Sequence, residues 1–360
     1  MLIKTISIGF KMKELEQLVR RNIVDMKAVD GYLSIHKRDE KKIFLDGNEN
    51  PYNKPVNRYP DPLQSEIKTK LSRMKGIIPE CIFLGNGADE IIDIIYRCFC
   101  EPEKDNVVAI TPTYEMYKRM ADINNVKYLT TPLDHEFQIS ANRILSTCNV
   151  NTKVIWLCSP NNPSGNDLKR EEIISIAKRF HGIVVVDEAY SDFTKQKSMV
   201  YELDNCPNII VLNTFSNAWA CAGLRVGVAY AHPLIIGYLN KIKLPYNISS
   251  VAQELICKEL DNKWETEKWV NIITMERERM TEAFKLLPSC KKVYPTSANF
   301  FMARMTDANA IYSYLKSNGI IVKNVSNMPY CDDCLRISVG SKAENSELLS
   351  VLRQFKEHRK

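Results

Sequence analysis

The sequence predicts an α/β fold, with a mostly parallel central sheet in a large domain and a smaller α+β domain beside it. Short strands that are apolar along their whole length alternate with amphipathic helices between residues 82 and 231. That alternation is typical of a parallel sheet covered by helices on both faces. Beyond Pro245 the chain changes to a long, charged helical stretch followed by well-separated strands, which indicates a second unit of the α+β type.

The elements before the alternating region are predicted from residue spacing and turn residues. Apolar residues at positions 15, 18, 19 and 23 recur at helical spacing. We expect a short strand at Ile43–Leu45, a loop at Asp46–Asn53 and an exposed helix over Ser65–Met74. The predicted domains are an N-terminal arm (residues 1–28), a large domain (56–250) and a small domain (29–55 and 251–360).

Each apolar run in the large domain predicts one strand: Ile82–Leu84, Asn106–Ile110, Val154–Leu157, Ile183–Val186, Ile209–Leu212 and Val226–Ala231. Helical spacing predicts three helices: one that ends at Cys100, one over Tyr114–Asn124 and one over Glu171–Phe180. For the small domain we expect one long helical stretch from Ser250 to about Leu286, then strands at Asn299–Ala303, Ile320–Val322 and Leu335–Val339 with helices between them.

Composition excludes several classes of protein. With 45% apolar and 26% charged residues, the chain is typical of a globular protein. Its 49 basic and 43 acidic residues give a net charge of +6, which suits small anionic ligands, and they form no long basic run for nucleic acid. No apolar run is long enough for a membrane span. The eleven cysteines, with one CxxC pair at Cys331 and Cys334, favour reduced cytoplasmic thiols over a metal site.

Two turns at strand ends are candidate ligand-binding segments. Gly85–Glu90 follows a strand and opens a helix, and a helix N-terminus presents free backbone N–H groups to an anion. Ser159–Gly165 follows a buried strand at the sheet edge where α/β proteins bind ligands. Taken alone, either segment could equally be an ordinary turn.

Three charged residues each have two interpretations, one structural and one functional. Asp187 ends an apolar strand, so it either caps the following helix or pairs with a cationic ligand group. Arg225 lies in a loop of small residues, so it either belongs to an ordinary surface loop or binds phosphate with its planar fork. Arg336 lies within a strand, where it either faces solvent or clamps a carboxylate.

These residues belong to a series of eight segments that occur in a characteristic order and spacing. The segments are LDGNENPYN (45–53), NRYPDP (57–62), FLGNGADE (83–90), TPTYEMY (111–117), LCSPNNPSGN (157–166), VVVDEAY (184–190), TFSNAWACAGLRVG (214–227) and CLRISVG (334–340). From about residue 15 to the C-terminus the chain resembles the fold-type I pyridoxal-phosphate enzymes, and most of all the histidinol-phosphate aminotransferases. The resemblance implies pyridoxal 5′-phosphate as cofactor, a cytoplasmic homodimer, small anionic amino and keto substrates, and a place in histidine biosynthesis.

The resemblance also implies a role for each matching residue. Asp187 would pair with the protonated ring nitrogen of the cofactor, which keeps the ring an electron sink, and Tyr190 and Asn162 would hydrogen-bond its ring oxygen. The residues implied to hold the ring face or the cofactor phosphate are Tyr114, Ala88, Asp89, Ser216, Arg225 and, from the neighbouring subunit, Tyr59. Those implied to face the substrate are Arg336, Lys323, Tyr32 and Asn48.

The chain departs from the family at two positions. Asn217 stands where the family has the lysine that carries the cofactor as a Schiff base and moves the substrate's proton. Asparagine has no basic amine, so we expect severely impaired catalysis, with Lys241 and Lys243 as the nearest substitutes in sequence. Lys323 stands where the family usually has an arginine for the substrate's phosphate, which keeps the charge and loses the fork.

The predicted function is the exchange of an amino group between histidinol phosphate and 2-oxoglutarate, impaired by the loss of the catalytic lysine. Two alternatives stay open. One is a threonine-phosphate decarboxylase-like enzyme, because that branch shares the fold and an anionic amine substrate. The other is a catalytically silent protein that binds pyridoxal phosphate, or a preformed aldimine, without turnover.

Overall fold

The computed structural model describes residues 15–27 and 43–355, and the strands within them form two sheets. The larger sheet has the order β1-β7-β6-β5-β4-β2-β3. Its strands are Ile82–Asn86 (β1), Asn106–Thr111 (β2), Lys127–Pro132 (β3), Thr152–Cys158 (β4), Ile183–Asp187 (β5), Ile209–Thr214 (β6) and Val226–Ala231 (β7). Strand β7 runs antiparallel to both of its neighbours and the others run parallel to one another. The predicted mostly parallel sheet is confirmed.

The smaller sheet has the order β10-β11-β9-β8 and is antiparallel throughout. Its strands are Cys290–Val293 (β8), Phe300–Met305 (β9), Lys323–Asn324 (β10) and Cys334–Ser338 (β11). Together with the helices that pack on it, this sheet has its own apolar cluster, which includes Phe284, Phe301 and Leu349. The domain boundaries themselves stay a prediction.

The helices within the described residues connect and cover the two sheets. They are Arg21–Asp25 (α1), Ser65–Lys75 (α2), Gly87–Phe99 (α3), Met116–Ile123 (α4), Ala141–Thr147 (α5), Arg170–Arg179 (α6), Pro233–Ile242 (α7), Ser250–Asp261 (α8), Lys263–Lys285 (α9), Ala308–Ser317 (α10) and Lys342–Gln354 (α11). None of the helices in this part of the chain is long and apolar enough to cross a membrane.

The large sheet is buried on both faces because its strands alternate between two apolar clusters. In β5, Val184 and Val186 belong to one cluster, while Ile183 and Val185 belong to the other. Side chains on a strand alternate between faces, so Asp187 at the end of β5 lies on the face of Ile183 and Val185. Helix α3 packs on that same face through Ile91 and other residues of its cluster.

Several predicted elements differ from those observed. Ile43–Leu45 is not a strand: Ile43 is 87% exposed, and no other strand pairs with this segment within the described residues. Ile320–Val322 is also irregular. Strand pairing begins instead at Lys323, which lies opposite Arg336. The long helical stretch from Ser250 is interrupted at Asn262, whose backbone (φ −103°, ψ 30°) leaves the helical region.

Sequence reasoning missed β3, β8 and three of the helices, α5, α7 and α11. It also expected a helix between the last two predicted strands, where the chain from β10 to β11 forms turns. Strands β3 and β8 lie at sheet edges and carry exposed residues such as Lys127 and Lys292. Edge strands need only part of their surface to be apolar, so they lack the continuous apolar run that marked the buried strands. Helix α7 begins at Pro233, a residue that suits the first turn of a helix.

Candidate active site

The carboxyl ends of β1, β4, β5 and β6 lie at one edge of the large sheet, because these strands run in the same direction. Gly87, Asn162 and Ser216 lie in the segments that follow β1, β4 and β6, and Asp187 is the last residue of β5. Ligands bind α/β proteins at this edge. The topology therefore brings together four of the motifs that sequence analysis had found far apart.

Asp187 is the most buried charged group of the site, with 3% of its surface exposed. Its Oδ2 accepts a hydrogen bond of 2.5 Å from the Tyr117 hydroxyl, and its Oδ1 one of 3.0 Å from the Ala189 N–H. Burial raises the pKa of Asp187, although both hydrogen bonds oppose that shift. Among the described residues no ion pair includes Asp187, so its charge is suited to a cationic group of a ligand.

Tyr117 is a site residue that sequence reasoning missed. It lies in α4, fully buried, and its ring stacks on Trp156 at 4.9 Å and meets Tyr114 edge-on at 5.6 Å. Tyr114 lies two residues before α4 begins, and Tyr117 is the second residue of that helix. Both belong to the motif TPTYEMY, so the sequence pointed to this segment, but only the fold shows that the Tyr117 hydroxyl reaches Asp187.

An anion-binding arrangement lies at the N-terminus of α3. Arg225 lies with its Nη2 3.4 Å from Asp89 Oδ2, and its Nη1 donates to Ser216 Oγ at 3.5 Å. Both Gly87 (φ 78°) and Arg225 (φ 53°) have left-handed backbones that turn these groups toward one another. The helix dipole and the free N–H groups of the first turn, at Ala88 and Asp89, favour an anion here.

The approach of β7 to this helix N-terminus depends on Gly227. A Cβ at Gly227 would lie 2.5 Å from the backbone nitrogen of Ala88 and 2.5 Å from the carbonyl carbon of Gly87. We expect Gly227→Ala to lower the free energy of unfolding by about 1–3 kcal/mol, since the backbone itself must move. Chemical denaturation measures the change.

The matched control for that variant is Gly237→Ala in α7, where an added Cβ meets nothing within 4 Å. Alanine in an exposed helix position should raise the free energy of unfolding by about 0.5–1 kcal/mol. A Gly227→Ala protein as stable as the unchanged chain would contradict the close approach described here.

A second set of contacts links the two sheets through Asn162. Its Nδ2 donates to the Tyr190 hydroxyl at 3.3 Å, and its Oδ1 accepts a hydrogen bond of 2.6 Å from Arg336 Nη1. The Arg336 guanidinium lies 5.2 Å from the centre of the Phe300 ring, which also meets Tyr190 edge-on at 5.0 Å. Phe300 was not predicted as a site residue, because only the fold brings β9 beside Tyr190.

Lys323 and Arg336 form a pair of adjacent cations. They lie directly opposite each other in the antiparallel pair β10–β11, and opposite residues project from the same face. Lys323 Nζ also lies 3.6 Å from Glu115 Oε1, at an exposed position. Two cations on one face, beside Asn162, suit a substrate with more than one anionic group.

Asn217 donates from its Nδ2 to the backbone carbonyl of Ala189 at 2.8 Å. Lys241 Nζ donates instead to the Val24 carbonyl at 3.0 Å, and Lys243 Nζ to the Pro62 carbonyl at 2.6 Å. Burial lowers the pKa of Lys243 to about 8. Both lysines named as possible substitutes are therefore hydrogen-bonded to backbone groups outside the Asp187 region.

The remaining predicted residues do not join this cluster in the single chain. Tyr59 is 56% exposed and stacks on Tyr246 at 4.6 Å. Asn48 is exposed, with a left-handed backbone (φ 53°). Tyr32 lies outside the described residues. No group of three or more potential metal ligands occurs within the described ranges.

Comparison with known proteins shows the family to which the chain belongs. Residues 41–352 match the family described as Aminotransferase class I and II. The chain is 49% identical over 344 residues to histidinol-phosphate aminotransferase of Bacteroides thetaiotaomicron, covering 96% of this chain and 99% of the relative. It is 42% identical over 348 residues to the enzyme of that name from Flavobacterium psychrophilum, covering 94% and 98%.

Two solved structures share the fold. The histidinol-phosphate aminotransferase from Clostridium acetobutylicum superimposes with a TM-score of 0.77 at 23% identity, over 83% of this chain and 90% of that one. The histidinol-phosphate aminotransferase from Sinorhizobium meliloti, in complex with pyridoxal-5′-phosphate, gives a TM-score of 0.76 at 23% identity, over 83% of each chain.

Proposed function

Because this chain belongs to the aminotransferase class I and II family, and within it to the histidinol-phosphate aminotransferases, we propose that its site is built to exchange an amino group between histidinol phosphate and 2-oxoglutarate. The family's cofactor is pyridoxal 5′-phosphate. The observation that carries the proposal is the buried Asp187 carboxylate. It accepts hydrogen bonds from the Tyr117 hydroxyl and the Ala189 N–H, and among the described residues it has no basic partner.

The residues of the site fit the cofactor at both of its ends. Pyridoxal phosphate, when bound, supplies a protonated pyridine ring that withdraws electrons from the bond to be broken. Asp187 would hold the positive charge of the ring nitrogen. At the other end Arg225, Ser216 and the first turn of α3 would hold the phosphate.

The substrate's charges have counterparts on the small sheet. Arg336 is oriented by its hydrogen bond to Asn162 and by the Phe300 ring, so its fork is free to clamp a carboxylate on its other side. Lys323, on the same face, would supply the charge for a second anionic group such as a phosphate. Its compact ammonium binds phosphate without the two-point geometry of arginine.

The proton-transfer step lacks its base in this chain. The Asn217 side chain is a neutral amide that donates to the Ala189 carbonyl, and it can neither accept the substrate's proton nor hold the cofactor covalently. We therefore propose that the chain binds the cofactor and substrate and turns over slowly. A silent binding protein is the second candidate, and the same asparagine favours it.

We also propose a cytoplasmic homodimer in which Tyr59 acts in the neighbouring subunit. Its support is the placement of Tyr59 on the surface, stacked on Tyr246 and apart from the Asp187 cluster of its own chain. A tyrosine hydroxyl supplied from outside would add one donor to the phosphate of the cofactor.

The proposal is tested with a panel of amino donors, after lysine has been restored at position 217. Histidinol phosphate with 2-oxoglutarate should give glutamate, and threonine phosphate should release no carbon dioxide. Release of carbon dioxide without a keto acid would reject transamination in favour of decarboxylation. Cofactor binding with no product from any donor would favour the silent protein.

Tyr117→Phe should weaken cofactor binding, because the Tyr117 hydroxyl lowers the pKa of Asp187. Without that donor the pKa of Asp187 rises further. When the pH is lowered, the carboxylate is therefore protonated at a higher pH than in the unchanged chain and no longer attracts the ring. We expect about three- to tenfold weaker binding, the effect of one hydrogen bond, with a larger loss in acid. Titration with pyridoxal phosphate at several pH values measures it.

Tyr96→Phe is the matched control for that variant. Tyr96 stacks on Trp156 at 5.3 Å in the same aromatic cluster, and its hydroxyl donates to the Tyr117 carbonyl at 2.8 Å. It has no hydrogen bond to Asp187, so its variant should bind the cofactor with an unchanged pH profile. Equal effects of the two variants would show that cluster packing, and not the hydrogen bond to Asp187, is responsible.

A further inference from the structure

A cavity of about 510 Å³ lies between the large sheet and helices α2 and α9, and no part of the proposed function uses it. Its size falls within the range of about 300–1,000 Å³ that is usual for small-molecule sites. The residues that give it chemical character are Lys75, Asp192, Asn213, Trp219, Tyr230 and Thr266.

This cavity, which we call the α2–α9 cavity, lies on the face of the sheet opposite α3. Val228 and Tyr230 of β7 line it, while Gly227, the residue before Val228, faces the N-terminus of α3. Residues two apart on a strand share a face and adjacent residues do not. The sheet therefore separates the cavity from the anion-binding arrangement around Arg225.

Thr266 gives the cavity wall a polar group that lacks a partner. It lies on α9 with 4% of its surface exposed, and its buried Oγ1 has no hydrogen-bond partner. A buried hydroxyl without a partner is unfavourable, so such groups are rarely left unsatisfied. A polar atom held in the cavity would supply the missing partner.

Four charged residues line the cavity, and two of them, Lys75 and Asp192, form no ion pair with each other. Lys75 Nζ lies 6.0 Å from the centre of the Tyr230 ring, and among the described residues it takes part in no ion pair. Burial raises the pKa of the Asp192 carboxyl, and the positive charges of Lys75 and Lys263 oppose that shift. Lys263 is already paired with Glu267 at 2.8 Å.

A ligand with a single charge would satisfy Lys75 or Asp192 and leave the other uncompensated. A ligand with both charges satisfies the two at once, and the Thr266 hydroxyl can bond its carboxylate. The wall formed by Trp219 and Phe215 is aromatic, so it favours an apolar group on the same ligand.

We propose that the α2–α9 cavity is a binding site for a free amino acid with an apolar or aromatic side chain, whose carboxylate binds Lys75 and Thr266 and whose ammonium binds Asp192. The lining residues Asn213, Thr214 and Phe215 immediately precede Ser216 and Asn217 in the chain. The bound amino acid would thus lie directly behind the segment that carries the anion-binding serine.

The test is calorimetric titration of the full chain, loaded with pyridoxal phosphate, using L-phenylalanine as the probe. Two analogues with one charge each, 2-phenylethylamine and 3-phenylpropanoate, should bind at least about tenfold more weakly, because each leaves one cavity charge unpaired. Absence of L-phenylalanine binding at millimolar concentration would overturn the proposal, as would equal binding of all three compounds.

Variants locate the bound probe. Lys75→Met and Thr266→Val should weaken L-phenylalanine binding, the latter by about three- to tenfold because it removes one hydrogen bond at nearly unchanged shape. Thr281→Val, on the same helix with its hydroxyl bonded to the Glu278 carbonyl, should bind the probe as before. Binding that survives Thr266→Val and Lys75→Met but is lost in Arg336→Ala would place the probe in the active site and overturn the proposal.

Discussion

Asn217→Lys should raise the rate of transamination by at least about 10²–10⁴-fold, which is the usual contribution of a positioned base to proton transfer. The amide of Asn217 bonds the carbonyl of Ala189, two residues after Asp187, so a lysine there would begin beside the segment that carries the proposed partner of the cofactor ring. Steady-state formation of glutamate from histidinol phosphate and 2-oxoglutarate measures the gain.

The control for this variant is Asn217→Gln, which lengthens the side chain without adding an amine. It should be as slow as the unchanged protein. Borohydride reduction and peptide mapping provide a second readout, because a lysine at position 217 should be labelled by the cofactor. Labelling of Lys241 or Lys243 in the unchanged chain, together with rapid turnover, would show that another lysine has taken over and that Asn217 does not limit the reaction.

The buried centre of the fold was predictable because its strands are apolar on both faces. Val184 and Val185 belong to opposite clusters yet are both fully buried, so the segment that contains them could form only an interior strand. The turns that follow such strands also fall at one edge by topology alone. This is why Asp187, Asn162 and Ser216 could be expected near one another from the sequence.

Contacts between distant segments were less predictable. The hydrogen bond from Tyr117 to Asp187 joins residues 70 positions apart, and that from Arg336 to Asn162 joins residues 174 apart. Local spacing carries no information about such pairs. Ile43–Leu45 shows the opposite failure, because an apolar run predicts a strand only where another strand is available to pair with it.

Asp187→Asn should have opposite effects on cofactor binding and on the stability of the cofactor-free protein. Truncating one partner of a buried charge pair typically costs about 2–5 kcal/mol, so affinity for pyridoxal phosphate should fall by about 30-fold or more. Asparagine can retain the hydrogen bonds with Tyr117 and Ala189, because its amide both donates and accepts. Titration of the protein with the cofactor, followed by absorbance, measures the loss.

The gain in stability follows from the raised pKa of Asp187. The folded state binds this proton more tightly than the unfolded state, so the carboxyl stabilises the fold in acid. That contribution to the free energy of unfolding is lost as the pH rises from the pKa of the unfolded state through the higher pKa of the folded state. The loss is about 1.4 kcal/mol for each unit by which the two pKa values differ. Asparagine removes this cost, so the variant should be the more stable protein at neutral pH and should lose that advantage in acid.

Glu188→Gln separates the two effects, since Glu188 is a buried neighbour with no place in the cofactor site. Its Oε1 accepts from the Met199 N–H at 2.6 Å and its Oε2 from the Ser198 hydroxyl at 2.5 Å, and burial raises its pKa as well. This variant should leave cofactor affinity unchanged. If Asp187→Asn bound the cofactor as tightly as the unchanged chain, the buried carboxylate would have no cationic ring to hold, and the assignment of the site would fail with it.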